Sequence, residues 1–384
     1  MVDPLLATPA GKTRGRALGI PFQGRPGPHN AITDVPGLAV GYTTLIEGEG
    51  DLVVGEGPIR TGVTAILPRG QAQADVPCWA GQFSLNGNGE LTGSWWIEEA
   101  GLCDGPITIT NTHSCGVARD ATIEWMHANS AKFQHGPAWG LPVAGETYDG
   151  YLNDVNGFHV TKDHVFAAID GASVGPIEEG SVGGGTGMML YGMKGGSGTA
   201  SRVVRHADQD YTVGAFVQAN FGLRRDLVIA GIPMAAHLPG ADPYGEDRGS
   251  IIAVVATDAP LLPHQCKRLA RRVSLGVGRS GSYSGHYSGD IFLALSTANA
   301  DALRGSREEW DLRALPDARL DPFFEAVVQA VDEAILNVLA VSEPMTGIDG
   351  HVVEALDRDR LVATLQAQNR WVAPPGLRES GAGA

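Results

Sequence analysis

Short apolar runs closed by Gly, Pro, Asp or Asn recur along the chain, at Val63–Leu67, Ile107–Thr110, Val165–Ile169, Val213–Gln218, Ile251–Ala256 and Ile291–Leu295. Runs of this length and setting predict buried strands. Toward the C-terminus the period changes. Cys266, Leu269, Ala270 and Val273 share one face of a helix predicted over about 263–275, with Lys267, Arg268, Arg271 and Arg272 elsewhere. A longer stripe of Phe324, Val327, Val328, Val331, Ile335, Val338 and Leu339 predicts a second helix over about 322–342. Asp321 and Pro322 read as its N-cap and first helical residue, and Pro344 stops it. Strands that are apolar throughout need cover on both faces, so the pattern implies layered α/β architecture.

Composition sharpens this picture in three places. Among 384 residues there are 53 glycines, about twice the usual share, scattered in small clusters that suit tight turns between short strands. The net charge of −15 argues against nucleic-acid binding, which needs clustered Lys and Arg. No apolar run reaches the roughly 18–20 residues of a membrane span. The first residues, MVDPLLATPAGKTRGRALGIPFQG, contain no apolar stretch of secretory type. The four cysteines, Cys78, Cys103, Cys115 and Cys266, form no C-x-x-C pair and read as buried thiols. These features together predict a cytoplasmic protein. The last dozen residues, 373–384, hold little that packs and read as a frayed tail.

Several motifs invite chemistry and fail. Gly183 to Gly187 (GGGTG) resembles a phosphate loop, but Met193 stands where Lys is required and Lys194 precedes Gly195, not Ser or Thr. Gly171 to Gly175 matches a G-x-S-x-G elbow around Ser173, yet Pro176 and Gly180 follow where a helix should open. The eleven histidines are scattered and no H-E-x-x-H occurs, so no metal and no cofactor are assigned.

The Gly249–Ser250 junction is different. The polar, turn-rich stretch 241–249 ends abruptly at Ser250 and the run Ile251 to Val255. A serine that begins a buried strand after such a loop can become an N-terminal residue by chain cleavage. Its hydroxyl is then a nucleophile and its own α-amine, with a reference pKa of about 7.7–8.0, the base. Downstream, Ser288 and Asp290 sit two apart where a strand begins, so both side chains can face one side. A carboxylate-held hydroxyl can orient an amine or relay its proton. An ordinary Gly/Ser loop is the plainer alternative.

At these residues the chain resembles the β-peptidyl aminopeptidase family, also described as L-aminopeptidase/D-Ala-esterase-amidases. The matching stretches, in order, are His29 to Gly37 (HNAITDVPG), Leu85 to Gly93 (LNGNGELTG), Ile109 to His113 (ITNTH), Glu146 to Gly150 (ETYDG) with Leu152 to Asp154 (LND), and Gly195 to Arg202 (GGSGTASR). Gln218 to Gly222 (QANFG), Arg248 to Ser250 (RGS) and Ser288 to Phe292 (SGDIF) complete the set.

The resemblance implies an α/β fold, an αββα sandwich resembling N-terminal-nucleophile hydrolases and shared in outline with ornithine acetyltransferases. It implies a single domain over 1–384 that cuts itself into 1–249 and 250–384. The nucleophile carried over by position is Ser250, with Ser288 and Asp290 as the supporting pair. The acidic member is Glu in some relatives, and Asp is one methylene shorter. Asn220 matches an oxyanion-stabilising Asn, and Tyr148 an active-site Tyr. Ser197 replaces what is more often an apolar residue, with no consequence attached.

Independently of the family, Asn220 supplies a neutral amide donor suited to a developing oxyanion. An aminopeptidase must also hold a substrate ammonium, which a carboxylate does best. Glu146 is the candidate, a solvated loop Glu the alternative. Trp95, Trp96 and Trp139 fit a side-chain pocket or the core equally well. The expected partner is a small peptide or amide with a free N-terminus, and the resemblance implies a homo-oligomer of cleaved pairs. Three other readings stand beside this one: an acyltransferase of the ornithine acetyltransferase type, a Ser–His–Asp hydrolase at Ser173, and an acidic binding protein without catalysis.

Overall fold

The computed structural model describes residues 2–134, 136–305 and 308–374. The last ten positions of the expected frayed tail, 375–384, lie outside the described residues.

Two sheets stack face to face between two helical layers. Strands β1 (Ala39–Glu47), β2 (Ile59–Leu67), β5 (Ile107–Asn111) and β6 (Ala144–Thr147) form a four-stranded sheet in the order β1-β2-β5-β6. The larger sheet contains β3 (Cys78–Gly87), β4 (Leu102–Cys103), β7 (Gly196–His206), β8 (Gln209–Asn220), β9 (Ser250–Thr257) and β10 (Gly289–Ser296). Its order is β4-β3-β10-β9-β8-β7, with β9 and β10 parallel and the other pairs antiparallel.

The helices that cover the sheets follow from the same patterning. Helix α1 spans Ser94–Ala100, and α2 (Cys115–Asn129) and α3 (Lys162–Asp170) lie on the four-stranded sheet. Helices α4 (Pro263–Arg279) and α5 (Asp321–Val341) lie on the six-stranded sheet, and α6 (Arg358–Ala367) follows near the C-terminus. Every residue of β2, β9 and β10 is buried, as strands covered on both faces must be. Alternation along β9 divides its side chains: Ile251, Ala253 and Val255 join the core under α4 and α5, whereas Ile252, Val254 and Ala256 join the core between the sheets. The arrangement is the expected αββα sandwich.

Two sequence expectations need correction. Val165–Ile169 is part of helix α3, not a strand. A short apolar run carries no period of its own. Here Val165, Ala168 and Ile169 are the buried stripe of a helix opened by Thr161 and closed at Gly171. Ser173 therefore follows a helix, is exposed, and pairs through its main chain with Val40, which removes the elbow reading. Helix α5 also begins one residue earlier than expected, with Leu320 as N-cap and Asp321 inside it. The GGG run behaves as a packing element: a Cβ on Gly184 would lie 2.2 Å from Gln218 Oε1 and 2.5 Å from the Ile109 carbonyl oxygen.

A buried ion cluster ties the N-terminal segment to the sandwich. Arg16 and Arg202 both donate to Glu333 on α5, at 2.6–2.7 Å, and Asn30 adds a bond of 2.6 Å. Glu333 has no exposed surface. Burial raises its pKa, but the two guanidiniums outweigh burial and hold it below the ordinary value. Glu333→Gln removes the carboxylate that the guanidiniums of half-buried Arg16 and buried Arg202 share. It should destabilise the fold by about 3–5 kcal/mol, read from the urea midpoint of unfolding.

Candidate active site

Register brings the sequence-predicted residues together. Asn220, the last residue of β8, is paired with Ser250, the first of β9, and Ser250 is paired with Gly289, the first of β10. Ser288 and Asp290 flank Gly289. Glu146 sits on β6 of the opposite sheet, and Tyr148 follows the end of that strand. Ser250, Glu146 and Tyr148 line one cleft of about 750 Å³, together with Glu90, Thr112, Tyr244, Arg248 and Tyr287.

The Ser250 hydroxyl donates to the carbonyl oxygen of Gly249 at 2.7 Å and accepts from the Gly289 N–H at 3.1 Å. The same N–H lies 3.4 Å from the Gly249 carbonyl oxygen. Asp247 accepts the N–H groups of Gly249 (3.2 Å) and Gly222 (3.1 Å), which pins the loop before Ser250 to the end of β8.

Ser288 donates to Asp290 at 2.7 Å, so the expected pair forms. Among the described residues no hydrogen bond joins it to the Ser250 hydroxyl. Alternation along β10 groups Asp290 with Phe292 and Ala294 on the helix side, whereas Ser250 shares its face with Ile252 and Val254. The Asp290 carboxylate is linked to β9, the strand of Ser250, through the Ile251 N–H, and Ser284 also bonds to it. Burial raises its pKa above the ordinary aspartate value, against the bonds from Ser284 and Ser288.

Asn220 is held at both ends of its amide. Its Oδ1 accepts from the Met189 N–H and its Nδ2 donates to the Tyr148 carbonyl, both at 2.8 Å. One Nδ2 hydrogen is left over. Glu146 is buried, not a solvated loop residue. Its Oε1 accepts from the Glu90 N–H at 2.9 Å and its Oε2 from the Thr112 hydroxyl. Burial raises its pKa, the Thr112 and Glu90 bonds oppose the rise, and the charge of Glu90 adds to it. A carboxylate in this state gains from a cation beside it.

Sequence reasoning missed Thr112, Asp247, Tyr244 and the Gly289 N–H. Asp247 stands two residues before Gly249, the one available signal. Tyr244 contributes a rim position, Gly289 a main-chain donor and Thr112 a hydroxyl bond to Glu146 across the fold, none of which spacing along the chain encodes. The tryptophans take neither expected place: Trp95 and Trp139 are exposed, Trp96 makes an edge contact with Trp139, and none lines the cleft. All four cysteines are free and buried, as expected. Among the described residues no group of His, Cys, Asp and Glu is placed to hold a metal ion. No helix among them is long and apolar enough to cross a membrane.

The sandwich is the N-terminal-nucleophile hydrolase fold, and the protein is an enzyme of the aminopeptidase/amidase class. The chain belongs to peptidase family S58, whose model matches residues 30–353. It is 48% identical over 375 residues to the β-peptidyl aminopeptidase BapA of Sphingosinicella microcystinivorans, covering 94% of this chain and 93% of that protein. Its identity to the protein of the same name from Sphingosinicella xenopeptidilytica is 45% over 372 residues, covering 92% and 91%. Among solved structures, the L-aminopeptidase D-Ala-esterase/amidase of Ochrobactrum anthropi superposes with a TM-score of 0.89 at 48% identity, covering 94% of this chain and 99% of that one. A Burkholderia β-aminopeptidase superposes with a TM-score of 0.84 at 45% identity, covering 92% and 99%. These relatives favour the peptidase over the acyltransferase reading.

The bonds on Glu146 make a prediction. Thr112→Val removes a donor that favours the ionised carboxylate. The Glu146 titration, followed by carbon NMR of the side-chain carboxyl, should move to still higher pH.

Proposed function

We propose that the chain cuts itself between Gly249 and Ser250 and then acts as a serine aminopeptidase on small peptides, amides and esters with a free N-terminus. One observation carries this: Ser250, Glu146 and Tyr148 share a cleft, with the Ser250 hydroxyl already against the Gly249 carbonyl.

In processing, Oγ of Ser250 bonds to the Gly249 carbonyl carbon while the Gly249–Ser250 C–N bond breaks. The Oγ proton ends on the freed nitrogen, and water hydrolyses the resulting ester. The Gly289 N–H, in reach of both Oγ and the Gly249 oxygen, is suited to the transient negative charge. In turnover, the new α-amine of Ser250 takes the Oγ proton as Oγ attacks the substrate carbonyl. The free Nδ2 hydrogen of Asn220 stabilises the oxyanion. The leaving amine departs with the proton, and water releases the acyl group. The Ser288–Asp290 pair sets the strand beneath the amine. Glu146 holds the substrate ammonium, and the α-L, D-Ala and β-amino acid groups remain within the acyl class. The chain acts as one domain, in a homo-oligomer of cleaved pairs. Exposed Trp95, Trp139 and Leu141 support that assembly, and sedimentation tests it. The free, buried thiols support a cytoplasmic site of action.

Intact-mass spectrometry of active protein should show pieces of about 26 and 14 kDa, in proportion to the 40.2 kDa chain. A single 40.2 kDa species with full activity overturns the proposal. Ser250→Ala should abolish processing and turnover together, whereas Ser250→Cys should still process.

Glu146→Gln should lower kcat/KM on free-amine substrates by roughly ten- to a hundredfold, the worth of a charge-assisted bond, and leave processing intact. The sign of the pH dependence follows from the raised pKa. Glu146 protonates sooner than an ordinary Glu as pH falls, so wild-type kcat/KM should drop at a higher pH than an ordinary glutamate would give, and Glu146→Gln should remove that limb.

A further inference from the structure

Lys194 is fully buried, yet its Nζ donates to two main-chain carbonyls, those of Met188 and Gly195, each at 2.9 Å, and no salt-bridge partner accepts from it among the described residues. Burying an amine this way is costly, so its place needs a reason. The reason is visible one peptide away. The Met188 carbonyl and the Met189 N–H belong to the same planar peptide unit. That N–H is the donor that fixes Oδ1 of Asn220 at 2.8 Å.

The segment between them is a tight hairpin, Met189–Leu190 against Met193–Lys194, turned by Tyr191 and Gly192 with positive φ. Its base is closed by the Gly195 N–H on the Met188 carbonyl at 2.8 Å. Gly195 has no room for a side chain there: a Cβ would lie 2.6 Å from the Ala219 carbonyl oxygen and 2.7 Å from the Met189 carbonyl carbon. Ser342 holds the Gly195 carbonyl from behind at 3.3 Å.

We infer that Lys194 is a positioning residue for the oxyanion site: by gripping the 188–189 peptide it aims the Met189 N–H at Asn220 Oδ1 and so turns the free Nδ2 hydrogen of Asn220 toward the reacting carbonyl. The bonds form one file, from Nζ to the Met188 carbonyl, from the Met189 N–H to Oδ1, and from Nδ2 to the oxyanion. Aligned amides in such a file polarise one another, so the last donor is strengthened as well as aimed. Burial, with Lys12 adding to it, brings the Lys194 pKa down to about 7. The grip survives loss of the charge, because a neutral amine keeps two N–H donors for its two carbonyls.

This inference rests on the reading of Asn220 as the oxyanion donor, and a double-mutant cycle separates the two. The readout is kcat and KM of the cleaved form, on a chromogenic amide with a free amino terminus. Asn220→Ala should cost roughly a hundredfold in kcat. Lys194→Met should cost about tenfold in kcat with KM within about twofold, and Lys194→Gln, which keeps an amide donor, should cost less. In the Asn220→Ala background the effect of Lys194→Met should largely vanish, because the residue it acts through is gone. An equal fall in both backgrounds, or none in the wild type, overturns the role of Lys194. If Lys194→Met does not fold, Lys194→Gln carries the same cycle with the same criteria. If Asn220→Ala leaves kcat unchanged, the oxyanion reading itself fails, and the positioning role with it.

Discussion

The pairing of β8, β9 and β10 is the constraint on which the site depends. In a ladder, a slip of one residue turns every side chain to the opposite face. The register Asn220–Ser250–Gly289 therefore fixes, in one step, an amide, a hydroxyl and a main-chain donor side by side at one end of three adjacent strands. It is enforced from within the core. Ile252, Val254 and Phe216 belong between the sheets, while Ile251, Val255 and Val217 belong under the helices, and a one-residue slip would exchange them. The precision of the site is thus a by-product of hydrophobic burial several residues away.

Desolvation is the second organising effect, and it acts with opposite results at two carboxylates. Glu333 is buried with two guanidiniums and stays ionised, so it is structural. Glu146 is buried with no salt-bridge partner among the described residues, its pKa is raised, and it lines a cleft. On the proposed function, a substrate ammonium would complete a pair that the protein leaves half made at Glu146. Burial of the two carboxylates therefore ends in opposite pKa directions, and the difference lies in what faces each one.

Much of this was legible before the structure. The central strands announced themselves as unbroken apolar runs, and the abrupt change at Ser250 marked where a loop meets a core strand. The two longest helices followed from their stripes. The strand β7 escaped because GSGTAS carries no apolar signal: its glycines and small hydroxyls are there to let α5 approach, and a Cβ on Gly198 would lie 2.2 Å from the Ala334 carbonyl oxygen. Helix α3 was misread because five apolar-rich residues cannot distinguish a period of two from one of 3.6. The facing of Asp290 away from the Ser250 hydroxyl was invisible for a different reason. It depends on which face of β9 the serine takes, a matter of tertiary register that spacing along one strand does not contain.

The order of the large sheet carries a consequence for the enzyme's lifetime. Strands β9 and β10 follow position 249, yet they lie in the middle, with β3 on one flank and β8 on the other. A nick at that position would leave two polypeptides braided strand by strand, neither able to leave without tearing the sheet. Assembly from one continuous chain is unimolecular, but re-assembly after the nick is a second-order encounter between two partners that each expose half a core. Melting would then be a one-way event, and the working lifetime of the molecule would be set by the rate of opening and not by an equilibrium.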